Sequence, residues 1–230
     1  MPSLEGAYER HARNCDEQDF WRQVRRTING QPVPEDQIQM IIREMISLMD
    51  LESDDVLLDI CCGNGALSTY FWEKCSGGLG IDYSETLIGV AQKYFCDKPS
   101  VSYRAGEAIE FLSNEENPER FSKAVIFGSI CLFTRENAER LLKITRDRFV
   151  NIKRFVIGNV VDRTGMDDFY KPGEYEPGME DRPDTAIGVW WWPEDFSEMA
   201  KRAGWRTEIV KMPEDFYQRH YRFDAILRPM

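Results

Sequence analysis

The chain has 230 residues, 42% of them hydrophobic, with 29 lysines and arginines against 40 acids and a formal net charge of −11. That length suits one large domain with a cap and a sizeable core, and the acid excess argues against nucleic-acid and anionic-membrane partners. No apolar run approaches the ~20 residues that cross a bilayer, and the first fifteen residues hold no secretory block, so a cytoplasmic protein is expected. The six cysteines form no C-x-x-C pair. Reduced thiols and no metal site are therefore expected.

In chain order, Phe20, Trp21, Val24 and Ile28 recur at helical spacing and predict a helix over 16–29. Asn29-Gly30-Gln31-Pro32 breaks it. A second helix is predicted from Pro34 to Leu51, with Pro34 at its start, Glu35 and Asp36 in its first turn, and one apolar stripe from Ile38 to Met49. From residue 55, short apolar runs at Val56–Ile60, Leu79–Ile81, Val101–Tyr103, Lys123–Phe127 and Phe155–Val161 alternate with helical stretches near 65–75, 84–95, 107–113 and 135–149. Strand–helix alternation means a mostly parallel sheet with helices on both faces. Arg206–Met212 and Tyr221–Leu227 are joined closely enough to pair as an antiparallel hairpin. The expected class is α/β, a seven-stranded mostly parallel sheet with an antiparallel final strand. Residues 1–33 form a helical N-terminal cap, and 34–230 form the main domain.

Residues 162–184 interrupt the alternation with eight acids, three bases, three prolines and three glycines. Such a composition is not expected to build its own core; it reads as a surface insertion or a lid, and the lid is extended to 192. The run Trp190-Trp191-Trp192 follows, and alternation there puts Trp190 and Trp192 on one face and Trp191 on the other. A helix from Glu194 to Ala203 ends at Gly204.

The segment richest in chemistry is Val56-Leu57-Leu58-Asp59-Ile60-Cys61-Cys62-Gly63-Asn64-Gly65-Ala66-Leu67. A strand enters a small-residue turn and then a helix, whose free N–H groups face a ligand. Asp82, with Tyr83 after it, closes the next strand and can accept hydrogen bonds from both hydroxyls of a ribose. Together these features predict an adenosine-containing cofactor. Read as a dinucleotide fingerprint, the loop lacks its third glycine, which is Ser68. Asp59 would repel a pyrophosphate and attract an ammonium. S-adenosylmethionine carries a ribose and an amino-acid ammonium, and no phosphate.

The segment resembles motif I of the class I S-adenosylmethionine-dependent methyltransferases, D/E-x-G-x-G-x-G, with Cys61 at the first glycine position. The resemblance covers roughly 34–230. It implies S-adenosylmethionine as cofactor, held by Asp59, Cys61, Gly63, Gly65 and Leu67, with Asp82 and Tyr83 at the ribose. It further implies Gly106, Glu107 and Ala108 at the adenine, and Gly128 and Ser129 lining the methyl donor. The closing hairpin matches the family's seventh, antiparallel strand. No N/D-P-P-Y element follows the fourth strand, where the chain reads Gly128-Ser129-Ile130-Cys131, so enzymes that methylate DNA amino groups or protein glutamines fit poorly.

The acceptor is expected at the carboxyl ends of the strands, where the 213–220 connection also lies. Histidine is the usual general base, so His220, and after it His11, are the candidates for taking a proton from the acceptor. A small-molecule acceptor with an oxygen or nitrogen nucleophile is expected, and the acidity of 162–184 favours a neutral or cationic one. The rival readings are a nicotinamide-dependent oxidoreductase and a cofactor-binding module without chemistry.

Overall fold

A computed structural model describes residues 4–28 and 30–230. Asn29 and the first three residues of the cap lie outside the described residues. The chain opens with α1 (Leu4–Arg13) and the single turn α2 (Phe20–Gln23). A two-residue hairpin follows, β1 (Thr27–Ile28) with β2 (Gln31–Pro32), and then α3 (Glu35–Met49). The helix expected over 16–29 is thus confined to one turn. Phe20 leaves the expected stripe to stack edge-on against Tyr94 and Phe95, and Ile28 pairs as strand. Tertiary contacts override a weak helical pattern here.

The alternating units form as β3 (Val56–Ile60), α4 (Ser68–Trp72), β4 (Gly77–Asp82), α5 (Glu85–Tyr94), β5 (Val101–Ala105), α6 (Ala108–Asn114), β6 (Lys123–Phe127), α7 (Arg135–Arg148) and β7 (Arg154–Val161). After the insertion, which contains α8 (Met166–Phe169), come α9 (Pro193–Arg202), β8 (Trp205–Lys211) and β9 (Arg222–Pro229). The sheet order is β5-β4-β3-β6-β7-β9-β8. Only β9 runs against the others, antiparallel to both β7 and β8.

The inner strands β4, β3, β6, β7 and β9 are covered by apolar layers on both faces, whereas the edge strands β5 and β8 expose alternate residues. Leu57 faces the layer of Ile38, Met45, Phe71 and Ile88, and Leu58 faces that of Leu112, Leu141, Phe196 and Phe223. The stripe of α3 is buried at Ile38, Ile41, Ile42, Met45 and Met49. Its last turn closes on Asp50 in the left-handed region.

The insertion is pinned at its neck. Trp191 N–H donates to the Val161 carbonyl at 2.8 Å and Arg163 N–H to the Trp191 carbonyl at 2.9 Å. Asp162, wholly buried, caps Thr164 and pairs with Lys211. Contrary to the compositional expectation, the segment packs a small apolar layer. Met166, Phe169 and Tyr170 cover Trp190, Ile187, Cys131 and Tyr221. Trp190 and Trp191 do face opposite layers, but Trp192 does not join Trp190; it is 40% exposed.

Candidate active site

The glycine loop leaves β3 at Ile60 and turns before α4. Cys61 occupies the left-handed region at φ +60°, where the motif's usual residue is glycine. Gly65 is also left-handed, at φ +78°, and a β-carbon there would sit 2.8 Å from the Tyr103 hydroxyl. Gly65 therefore lets the loop lie against Tyr103, whose hydroxyl already accepts from Trp72 Nε1 at 2.8 Å. It is not part of the cavity wall, whereas Cys61, Gly63 and Leu67 are.

Asp82 ties the loop to the second strand. Its Oδ2 accepts Gly63 N–H at 2.9 Å and its Oδ1 accepts Ser84 N–H at 3.0 Å. Asp59 is 4% exposed and accepts from the Ser68 hydroxyl. Burial pushes the Asp59 carboxyl up to about 7 and raises that of Asp82. Glu107 lies at the cavity edge with its Oε2 accepting Glu110 N–H at 2.8 Å, so its carboxylate caps α6. Tyr83, Gly106, Ala108, Gly128 and Ser129 complete the predicted wall.

The cap roofs this loop. Asn64 Nδ2 donates to the Phe20 carbonyl and to Gln23 Oε1, both at 2.8 Å. Glu9 of α1 accepts from the Ser84 and Thr86 hydroxyls. Tyr8 of the cap and Tyr217 of the 213–220 connection line the cavity, and with them come groups that the sequence alone did not single out: Arg25 and Arg26 of the cap, and Asn159 and Arg222 from the far side. Arg26 sits over the Phe127 and Trp21 rings; burial lowers it to about 10, so it stays charged at neutral pH. The adjacent arginines at 25 and 26 were the only available sequence signal, and nothing in the linear order placed them against residue 59.

Neither predicted histidine belongs to this wall. His220 is exposed and stacks edge-on against Tyr221, while the 213–220 connection contributes Tyr217 and Gln218 to the cavity instead. The ring nitrogen Nε2 of His11 lies 2.8 Å from the Arg22 carbonyl, which braces the cap. His220→Ala should leave methyl-transfer rate within about twofold of wild type, and His11→Ala should act through thermal stability, at about 1 kcal/mol. A rate loss beyond tenfold for His220→Ala at unchanged stability would restore it as a base. The insertion's acids also fall elsewhere than expected: its contribution to the wall is Phe169, Pro183, Ala186 and Ile187, none of them charged.

The cavity encloses about 520 Å³. A methyltransferase-domain family model matches residues 57–148, from β3 through α7. Residues 57–148 are thus a methyltransferase domain, and the fold around them is that of the class I S-adenosylmethionine-dependent methyltransferases. The enzyme is 28% identical over 138 residues to a probable cobalt-precorrin-6B C(15)-methyltransferase (decarboxylating) of Methanococcus maripaludis, a match spanning 58% of this chain and 67% of that one. A protein of the same description from Methanocaldococcus jannaschii is 25% identical over 124 residues, covering 53% of this chain and 61% of the other. Among solved structures, the magnesium protoporphyrin IX methyltransferase of Synechocystis with bound SAH superposes with a TM-score of 0.64 at 14% identity, covering 97% of this chain and 94% of that one. An S-adenosylmethionine-dependent methyltransferase from Clostridium acetobutylicum gives 0.61 at 15% identity, over 86% and 92%. The methyltransferase thus takes S-adenosylmethionine rather than a nicotinamide cofactor.

The residues present fit that cofactor. Buried Asp59 lacks a cationic partner within ion-pair distance among the described residues, and Arg26 likewise lacks a carboxylate. The two face one cavity, and each is within electrostatic reach of the other. An amino-acid group, with one ammonium and one carboxylate, answers both. Both Asp59 and the strand residue Asp224 ionise near pH 7 when folded, against 3.8 ordinarily. Between those values the folded chain holds protons that the unfolded chain has released, so stability falls as pH rises. Without cofactor, the thermal midpoint should be higher at about pH 5 than at about pH 7.5, and Asp224→Asn should flatten that slope. A midpoint that rises over the same range would contradict both assignments.

Proposed function

We propose that the methyltransferase acts on a small organic acceptor through an oxygen or nitrogen nucleophile. The observation that carries this reading is the lid. Residues of the chain's own insertion, Phe169, Pro183, Ala186 and Ile187, supply uncharged wall to the same cavity that the glycine loop and Asp82 line. The whole cavity, cofactor wall included, is of the scale that encloses small ligands. The two archaeal relatives are named for a small-molecule acceptor, a cobalt-precorrin, which supports the same class.

S-adenosylmethionine, when bound, supplies a methyl group activated by a positively charged sulfur. Asp59 and Arg26 would hold its amino-acid end, Asp82 its ribose, and Ala108 with Gly106 its base. The chain's remaining contribution is orientation and exclusion of water. Burial raises Tyr8, Tyr217 and Cys131, so these groups stay protonated at neutral pH and do not take a proton from the acceptor. Positioning by the walls is then the main source of rate, which suits an acceptor that arrives with its lone pair already free.

The test is labelling with methyl-tritiated S-adenosylmethionine in a cell extract divided into dialysable and macromolecular fractions. Label should enter the dialysable fraction. Label confined to protein or nucleic acid would overturn the acceptor class.

A further inference from the structure

A second polar construction stands in the cavity wall, on β7 and β9. The pairing of these strands shifts register between Ile157 and Val160. Asn159 lies in that irregularity at φ +60°, a left-handed residue inside a strand. Two side chains of β9 grip its peptide. Asp224 Oδ1 accepts Asn159 N–H at 2.7 Å, and Arg222 Nη1 donates to the Asn159 carbonyl at 2.9 Å. Strained backbone of this kind persists only where its surroundings enforce it, and it gathers at ligand sites.

The grip presents Asn159 and Arg222 together at the cavity wall. Arg222 Nε, a donor, has no hydrogen-bond partner; Asn159 Oδ1, also unpartnered, is an acceptor and calls for a donor on the ligand rather than its carboxylate. Arg222 is only 7% exposed, and no ion pair to a carboxylate is formed by it among the described residues. A buried guanidinium without an anion costs several kcal/mol. Arg26 is within electrostatic reach of Asp59 and would be answered by the cofactor's carboxylate, whereas Arg222, in reach of Tyr8 and Tyr217, has no such counter-charge. Its guanidinium lies 5.2 Å from the Tyr221 ring centre, and Leu132, Phe133, Phe169 and Ile187 line the same cavity.

We propose that the acceptor carries a carboxylate, which Arg222 holds beside Asn159, on a flat apolar body that packs beneath the lid. The inference rests on the acceptor being a small molecule. It reverses the charge preference drawn from the insertion's composition, because none of those acids lines the cavity.

The test uses the full chain saturated with S-adenosylhomocysteine, titrated calorimetrically with benzoate, benzamide and phenyl phosphate. Benzoate should bind at least about tenfold more tightly than benzamide. Arg222→Gln should lose that benzoate binding by about tenfold or more while S-adenosylhomocysteine affinity stays within about twofold. If Arg222→Gln fails to fold, Asn159→Asp serves: it tolerates the left-handed backbone, sets a negative charge beside Arg222, and should abolish benzoate binding. Equal binding of benzamide, unchanged benzoate binding in either folded variant, or no benzoate binding at all would overturn the proposal. Tighter binding of phenyl phosphate than of benzoate would overturn the carboxylate in favour of a phosphate. S-adenosylhomocysteine affinity in the same titrations reports the cofactor site, and extract labelling reports the acceptor class, so those readings stand or fall separately.

Discussion

Asp82→Ala should weaken S-adenosylhomocysteine binding by about 100-fold, close to 2.7 kcal/mol. The side chain does two jobs at once. It accepts Gly63 N–H and Ser84 N–H, and so holds the glycine loop against the end of β4. Its remaining acceptor capacity is what a ribose would use. Removing it leaves two backbone donors in a buried site, at about 1–3 kcal/mol each when no water reaches them. Fold integrity is checked by far-ultraviolet circular dichroism, because Gly106 N–H donates to the Asp82 backbone carbonyl and keeps β4 and β5 joined without the carboxylate. An affinity within twofold of wild type would remove Asp82 from the cofactor site.

The second large effect is expected at Gly188, outside the cofactor half. Its φ is +84°, and a β-carbon there would lie 2.3 Å from the Cys131 carbonyl oxygen. That oxygen accepts Val189 N–H at 2.8 Å, the bond that lays the lid's return strand on the residues after β6. Gly188→Ala must therefore either strain the backbone or break this contact, at about 3 kcal/mol. Limited proteolysis should cut within 163–186 much faster than in wild type, while S-adenosylhomocysteine affinity holds, since none of the lid's wall residues belongs to the glycine loop. Unchanged protease resistance together with an unchanged thermal midpoint would show that the backbone relaxes around the methyl group.

Much of the fold was legible because its signals are local. The runs at 56–60 and 123–127 are apolar but for Asp59 and Lys123, as doubly covered parallel strands largely are, and the structure has both with those same ends. The hairpin of β8 and β9 followed from the short connection between them. The cap was less legible. The helix α1 has only a weak apolar stripe, and α2 yields to the demand that Val24 meet Gly63, where a β-carbon on the glycine would come 2.8 Å from its side chain. In the site, the loop and Asp82 carry type and spacing that read from sequence alone. Arg222 and Asn159 do not. Their meeting depends on a register shift between strands 63 residues apart in sequence. The histidines misled for a related reason: sequence position set His220 on the correct rim, but the neighbouring residues Tyr217, Gln218 and Tyr221 turn inward while its own side chain turns outward.

The neck of the insertion has one more consequence. Because Val161, Asp162, Arg163 and Trp191 close it by backbone hydrogen bonds and a buried carboxylate, the chain leaves and rejoins the sheet at nearly one point. What lies between can change in length and content at little cost to the strands on either side. On the proposed reading, grafting a different loop between residues 163 and 190 should reshape the apolar lid over the acceptor, while Arg222, Asn159 and the methyl-donor half stay in place.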